Sequence, residues 1–370
     1  MSLPQELIDS ILDEVNDFAS LKSCSLVASS FRYPSQRILY RCVRLQDNYG
    51  AIRTLLQDSP HIASYITILH ISFATSDGRP VDTESLERIL ESPRLTNVRR
   101  CILKQGQWGE LAELFPALIR FLSGQKLHEL RFFLISGIPG VYFLQFLVLA
   151  PKLSFIAMAV EPTAGDIPPP PSFEKMPREM SLAMLCETVC ELLLRPEGLP
   201  YIANLQALAI TRMCRNLEFY GLRLISSVRN NLQHLHLTDP VDMPDPLPSF
   251  PALVRLTLDV GRPHLEWPWE YISTLLAPTA SPHLQQFIFI VTYWRRADVN
   301  LHLQSLVDAA LESHPNGPSM VWVITFGRDD KRSHLAQWVS KIQAGMPRLH
   351  ASGRLAIEVR YDDERVARLA

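Results

Sequence analysis

Histidine and cysteine pairs are the residues whose types and spacing could support metal chemistry. His234 and His236 alternate on one face of a predicted strand, where a curved sheet could bring them near His70 as metal ligands. Cys186 and Cys190 lie four residues apart on a predicted helix and could share one of its faces. Surface histidines of a binding sheet and cysteines of a packed core explain both pairs without a metal ion. We therefore predict no metal site.

The common motifs of catalysis and nucleotide binding do not occur in the sequence. GxGxxG and GxxxxGK phosphate loops, HExxH, paired CxxC motifs and the GxSxG elbow are all missing, and residues 136–140 read as a turn. The chain is therefore predicted to be no enzyme and to need no cofactor. An enzyme with an unrecognised site in an inserted segment is the last-ranked alternative.

Composition limits the class of partner. The chain has 370 residues, 47% of them hydrophobic and 20% charged, which suits two packed units or one repeat array rather than a disordered protein. A formal net charge of −2 provides no general attraction to nucleic acid or to an anionic membrane, and we predict neither as a partner. Scattered cysteines and an N-terminus without a basic region favour an intracellular protein, cytoplasmic or nuclear.

Three short helices are predicted within the first 45 residues. Pro4 suits a helix start, and the apolar residues from Leu7 to Val15 recur at helical spacing. A second helix is expected from about Ser20, and a third from Tyr33 to Val43. Helices of this size form only a small core, which a partner or the following chain would complete.

Four sequence blocks in this region carry a resemblance to a known family. They are LPQELIDSIL at 3–12, SLKSCSLV at 20–27, Phe31, and QRILY at 36–40. In this order and spacing they resemble the F-box of fungal F-box proteins. The resemblance covers about the first eighth of the chain, and Phe31 stands where many members have a tryptophan.

The resemblance implies docking on the Skp-family adaptor of a cullin–RING ubiquitin ligase. Carried over by position, it also implies a set of adaptor-binding residues. They are Leu3, Pro4, Leu7, Ile8, Ile11, Leu12, Leu21, Ser25, Leu26, Val27 and Phe31. The alternative is that these helices pack on later residues and only cap the rest of the chain.

Beyond residue 60, apolar triplets recur at positions i, i+3 and i+5. They begin at Ile66, Leu127, Leu153, Leu205, Leu232, Leu253 and Leu284, with a looser copy at Val321. Helical patterns lie between them, and a strand-plus-helix unit of roughly 20 to 30 residues is typical of leucine-rich repeats. The asparagine that usually closes the strand turn is missing, so we expect a degenerate, leucine-rich-repeat-like array. A generic α/β domain with a parallel sheet is the alternative.

Residues that alternate with the buried triplets are predicted to form a partner-binding face, because neighbouring side chains on a strand point to opposite sides. Its arginine, histidine, acidic and aromatic residues suit protein recognition. The candidate substrate face comprises His70, Glu129, Arg131, Phe133, His234, His236, Arg255, Thr257 and Asp259.

The sequence therefore predicts an α+β protein with two domains. Residues 1–45 form a three-helix, F-box-like domain, and residues 46–370 form an α/β leucine-rich-repeat-like solenoid with a parallel sheet and a proline-rich insertion near 161–180. The predicted function is the substrate-recognition subunit of an SCF-type ubiquitin ligase, which binds the Skp-family adaptor, through it a cullin, and a protein substrate. The alternative is a non-catalytic protein-binding scaffold whose N-terminal helices only cap the array.

Overall fold

The computed structural model consists of two compact units, which we call the N-terminal unit (Met1–Lys175) and the C-terminal unit (Met176–Ala370). The described residues are 3–15, 17–74, 81–161, 176–184, 186–211, 215–238, 248–260, 269–293, 301–326 and 335–361. Residues 162–175, which contain the predicted proline-rich loop, lie outside them. The domain boundary expected at residue 45 stays a prediction.

The N-terminal unit begins with three helices and continues as alternating strands and helices. Its elements are α1 (Gln5–Asp13), α2 (Phe18–Val27), α3 (Ser29–Leu39), β1 (Cys42–Leu45), α4 (Tyr49–Asp58), a 3-10 helix (Pro60–Tyr65), β2 (Ile68–Ser72), α5 (Thr83–Leu90), β3 (Arg100–Gln107), α6 (Trp108–Leu111), α7 (Phe115–Ser123), β4 (Glu129–Ser136), β5 (Ile138–Pro139), α8 (Gly140–Leu147), β6 (Lys152–Ile156) and β7 (Val160–Glu161).

The C-terminal unit continues the alternation of strands and helices. Its elements are β8 (Glu179–Ala183), α9 (Glu187–Leu194), α10 (Leu199–Ile202), β9 (Ala207–Thr211), α11 (Arg215–Val228), β10 (His234–Thr238), β11 (Arg255–Val260), α12 (Trp269–Leu276), β12 (Gln286–Tyr293), α13 (Leu301–Glu312), β13 (Ser319–Phe326), α14 (Leu335–Gly345), α15 (Pro347–Ala351) and β14 (Leu355–Tyr361).

A small core of their own holds the first three helices together. Ile8 and Leu12 of α1 and Leu21 of α2 are buried, and Val15, Cys24, Phe31, Ile38 and Leu39 pack against them. Asp17 starts α2 by accepting hydrogen bonds from the backbone amides of Ala19 and Ser20, both at 2.9 Å.

The third helix begins and ends four residues earlier than its apolar pattern predicted, at Ser29 and Leu39 instead of Tyr33 and Val43. Helix α3 ends at Leu39, and Val43 belongs to strand β1 instead of the helix. The segment Cys42–Leu45 alternates exposed and buried residues, which is the period of a strand, and Val43 pairs with Leu69 of β2. The helical expectation to Val43 was therefore wrong.

Parallel strands form the sheet of the N-terminal unit in the same order as in the sequence, β1-β2-β3-β4-β6. The strand register aligns two columns of buried side chains on one face. They are Val43–Leu69–Cys101–Leu130–Leu153 and Leu45–Ile71–Leu103–Phe132–Phe155. Helix side chains cover this face: Phe146 of α8 meets Phe132 with ring centroids 5.1 Å apart. A short parallel pair, β5 with β7, forms a separate sheet.

Parallel strands also follow sequence order in the C-terminal unit, from β8 through β14. Two aligned columns again occupy one face, and their members are buried except for the half-buried pair on β14. The columns are Met180–Leu208–Leu235–Leu256–Phe287–Met320–Leu355 and Leu182–Ile210–Leu237–Leu258–Phe289–Trp322–Ile357.

The predicted fold class is confirmed: helices at the N-terminus precede a leucine-rich-repeat-like α/β array with parallel strands. Parallel neighbours need a crossover connection, and the intervening helices provide it. Each strand hydrogen-bonds to strands that are close in sequence, so contacts are made between neighbouring repeats.

Two predicted triplets were misplaced. In β6 the second column passes through the buried Phe155, whereas the predicted Ile156 is half-buried on the opposite face. In β13 Met320 and Trp322 align with Phe287 and Phe289, whereas the prediction gave those positions to Ile324 and Phe326, four residues later along the same strand. Both segments are apolar on consecutive residues, so alternation does not locate the repeat within them.

No helix in the described part of the chain is long and apolar enough to span a lipid bilayer.

Candidate functional site

Apolar side chains are exposed on the N-terminal helices. Leu7 and Ile11 of α1 are each 51% exposed, and Leu3, which precedes this helix, is 55% exposed. At the end of α2, Leu26 and Val27 are 81% and 75% exposed. These five apolar side chains are exposed although most apolar residues of the N-terminal unit are buried.

The predicted adaptor-binding residues divide into two structural groups. Ile8, Leu12 and Leu21 are buried in the helix core, and Phe31 packs on them from α3. The residues open to a partner are Leu3, Pro4, Leu7, Ile11, Leu26 and Val27, and Ser25 is half-buried. The first group therefore belongs to the core of the three helices, and the second lies on their surface.

Two exposed aromatic residues in the same region were missed. Phe18 at the start of α2 is 61% exposed and Tyr33 of α3 is 60% exposed. Phe18 does not match any of the four family blocks, so the resemblance provided no signal for it. The exposure of Phe18 depends on how the helices pack, which the sequence pattern does not show.

The predicted substrate residues His70, Glu129, Arg131 and Phe133 lie in the N-terminal unit on strands β2 and β4. They do not belong to adjacent strands, because β3 lies between them. The face opposite the helices therefore also includes Arg100, Ile102 and Lys104 of β3 and Arg44 of β1, which were missed. We call the surface formed by Arg44, His70, Arg100, Lys104 and Arg131 the basic face.

Glu129 forms ion pairs with two arginines of the basic face, Arg100 and Arg131. Its carboxylate is buried and accepts from Arg100 Nε at 2.5 Å. It also accepts from Arg131, at 2.8 Å from Nε and 2.7 Å from a terminal guanidinium nitrogen. Charge-assisted contacts of this kind fix the direction of both guanidinium groups.

His70 is buried in the middle of these cations. Burial, followed by the positive charges of Lys104, Arg44, Arg131 and Arg100, lowers the pKa of His70 to about 4. The ring is therefore neutral at ordinary pH. Its Nδ1 atom is buried and has no hydrogen-bond partner among the described residues.

We expect His70 to make folding stability depend on pH. Because its folded pKa, about 4, is below the unfolded value of 6.5, its contribution is complete above pH 6.5 and is lost as pH falls towards 4. His70→Asn should remove about 2 kcal/mol of the stability difference between pH 7 and pH 4.5, measured by urea unfolding at both pH values. An unchanged pH dependence in the variant would contradict the buried, neutral ring.

The remaining predicted substrate residues lie together in the C-terminal unit. His234 is beside Arg255, and His236 is beside Thr257, on the paired strands β10 and β11. Asp259 of β11 is buried, whereas His234 and Arg255 are exposed. Partial burial, followed by the charge of Arg255, lowers the pKa of His234, and Glu179 opposes this shift.

Within the described residues, no group of three or more His, Cys, Asp or Glu is arranged to hold a metal ion. His70 lies in the N-terminal unit, whereas His234 and His236 lie in the C-terminal unit. The buried thiols of Cys186 and Cys190 belong to the core of the C-terminal unit, and burial raises the pKa of Cys190 strongly.

No protein-family model matches the chain, and no curated protein was found to match it. The described sites are of two kinds: exposed apolar side chains on the N-terminal helices, and charged or polar side chains on the strand faces. Both arrangements suit the binding of macromolecular partners.

Proposed function

We propose that the chain is the substrate-recognition subunit of an SCF-type cullin–RING ubiquitin ligase and is not itself a catalyst. Its N-terminal helices bind the Skp-family adaptor, which connects it to a cullin, and its repeat region binds a protein substrate. Such a subunit acts inside the cell, in the cytoplasm or the nucleus.

The exposed apolar residues of the N-terminal helices carry this proposal. Leu7 and Ile11 are four residues apart, which places them on one side of α1, while Ile8 and Leu12 are buried in the helix core. The exposed Leu3 precedes this helix. The helices thus keep a core of their own and leave a second apolar strip free. The four F-box-like sequence blocks support the choice of the Skp-family adaptor as the partner.

A protein-binding scaffold with capping helices is the second candidate function. The contact between α3 and the 3-10 helix favours it, since Gln36 Oε1 lies 3.3 Å from His61 Nε2. In that case the helices would protect the end of the array and bind no adaptor.

Co-expression with a Skp-family adaptor tests the proposed function. The full chain should co-purify with a tagged adaptor and elute with it as one stoichiometric complex in size-exclusion chromatography. Deleting residues 1–45 is a poor control, because it removes β1 and exposes the edge of β2. A folded full chain that elutes apart from the adaptor would contradict the proposal.

A further inference from the structure

The basic face concentrates positive charge that the whole chain does not have. On the open side of β1, β2, β3, β4 and β6, the register places five cations and one carboxylate, although the chain has a formal net charge of −2. The cations are Arg44, Arg100, Lys104, Arg131 and Lys152, and the carboxylate is Glu129.

The register brings the cations of neighbouring strands around one point. Arg44 is directly opposite His70, which is opposite Ile102, which is opposite Arg131. Arg100 and Lys104 flank Ile102 on the same side of β3. Because strands lie roughly 4.8 Å apart, β1 to β4 span roughly 14 Å, the length of a few residues of extended peptide.

Several hydrogen-bonding groups of this face are unused. Arg44 and Lys104 have no carboxylate partner among the described residues, and Arg44 is exposed. His70 is 7% exposed, and its Nδ1 has no hydrogen-bond partner in the described part of the chain. Glu129 is already bound by Arg100 and Arg131, so it neutralises neither Arg44 nor Lys104.

We propose that the basic face binds an acidic segment of a protein, in which carboxylates or phosphorylated side chains meet Arg44, Lys104, Arg100 and Arg131. This inference rests on the proposed function, because it identifies the acidic segment as part of the substrate. Half-buried Ile102 and Phe133 lie between the cations and offer apolar contacts to the neighbouring side chains of the segment.

A protein segment fits this face better than a nucleic acid does. The patch is a few strands wide and Phe133 is its aromatic residue, so it lacks the series of stacking platforms that single-stranded nucleic acids use. The nearly neutral chain also lacks the extended positive field that draws in a polyanion.

Fluorescence anisotropy on the full chain tests the proposal directly, without the adaptor. The probes are a labelled oligoglutamate peptide, a phosphoserine peptide of otherwise neutral sequence, and an oligolysine peptide. Binding of either anionic peptide but not of oligolysine is expected, weakening as the salt concentration rises from about 50 to about 300 mM.

Charge reversal locates the binding. Arg44→Glu with Lys104→Glu should weaken binding of the anionic peptides at least about tenfold at low salt. The matched control, Arg94→Glu with Arg229→Glu, changes two exposed arginines that do not belong to the strands of this face and should leave the affinity within about twofold. If the first variant fails to fold, Arg44→Gln with Lys104→Gln removes the same two positive charges without introducing negative ones.

Three results would overturn the inference. They are the failure of both anionic peptides to bind, equal losses in the test and control variants, and tighter binding of a single-stranded oligonucleotide through the same residues. Adaptor co-purification and peptide binding, both measured on the unmodified chain, separate the two proposals. Adaptor binding without peptide binding would refute only the substrate class, whereas peptide binding without adaptor binding would refute the ligase function and keep the acidic-segment site.

Discussion

Replacing Leu7 and Ile11 together with aspartate is expected to abolish binding of the Skp-family adaptor and to leave the chain folded. Both side chains are half-exposed on α1, so the substitutions do not enter the core formed by Ile8, Leu12 and Leu21. In a complex, each apolar side chain would contribute about 1.5–3 kcal/mol through burial, and each new carboxylate would have to be desolvated. The affinity should fall by at least about 100-fold.

Co-purification with the tagged adaptor and thermal unfolding of the free chain measure the two parts of this result. Leu134→Asp with Leu199→Asp is the matched control, since it places two aspartates at exposed leucines outside the N-terminal helices. Normal adaptor binding by the Leu7 and Ile11 variant would refute the ligase proposal. A lowered melting temperature in that variant alone would favour the capping role of the helices.

Phe155→Ala is expected to destabilise the N-terminal unit by about 3–5 kcal/mol. Phe155 is fully buried between the strands and α8, with its ring centroid 5.4 Å from Phe132 and 5.3 Å from Phe143. Truncation leaves a cavity that these rigid aromatic neighbours cannot fill.

Ile156→Ala is the matched control for this second prediction, because Ile156 follows Phe155 directly but lies half-buried on the opposite face. Ile156→Ala should lower the free energy of unfolding by about 1 kcal/mol, and urea unfolding of both variants measures the difference. A larger loss from Ile156→Ala than from Phe155→Ala would restore the phase originally predicted for this strand.

The repeat architecture was predictable wherever leucine-like residues alternate with polar ones. The triplets that begin at Leu232 and Leu253 are buried as expected, because polar neighbours such as His236 and Thr257 determine the phase of the strand. The phase was lost in β6 and the register in β13, because both segments are apolar on consecutive residues. Core packing, which decides between the two phases, depends on residues that are distant in sequence.

Among the strands that no triplet predicted, which also include β14 and the short β5 and β7, three were missed for separate physical reasons. In β3 a small cysteine, Cys101, occupies a position where other repeats have a large apolar residue. In β8 the pair Met180 and Leu182 follows a proline-rich stretch that reads as loop. In β1 the pair Val43 and Leu45 directly follows a helix and was counted partly with it.

The missed strands also explain why the candidate site was incomplete. Arg44 and Lys104 lie on β1 and β3, so the charge around His70 became visible only when those strands were paired with β2. In the N-terminal helices, the sequence did not show which apolar residues are buried and which are exposed. Sequence resemblance identified the apolar residues, but only the packing of α1 on α3 separates Ile8 and Leu12 from Leu7 and Ile11.

The alternation of buried and open residues along strands such as β3 and β10 has an evolutionary consequence. Because the core columns are built from one set of positions and the open surface from the other, mutation can alter that surface without disturbing the interior. On β3, Lys104 can change while Cys101 and Leu103 stay under constant selection for packing. Duplicated copies of such a gene could therefore diverge in partner choice one strand at a time and still inherit the same scaffold.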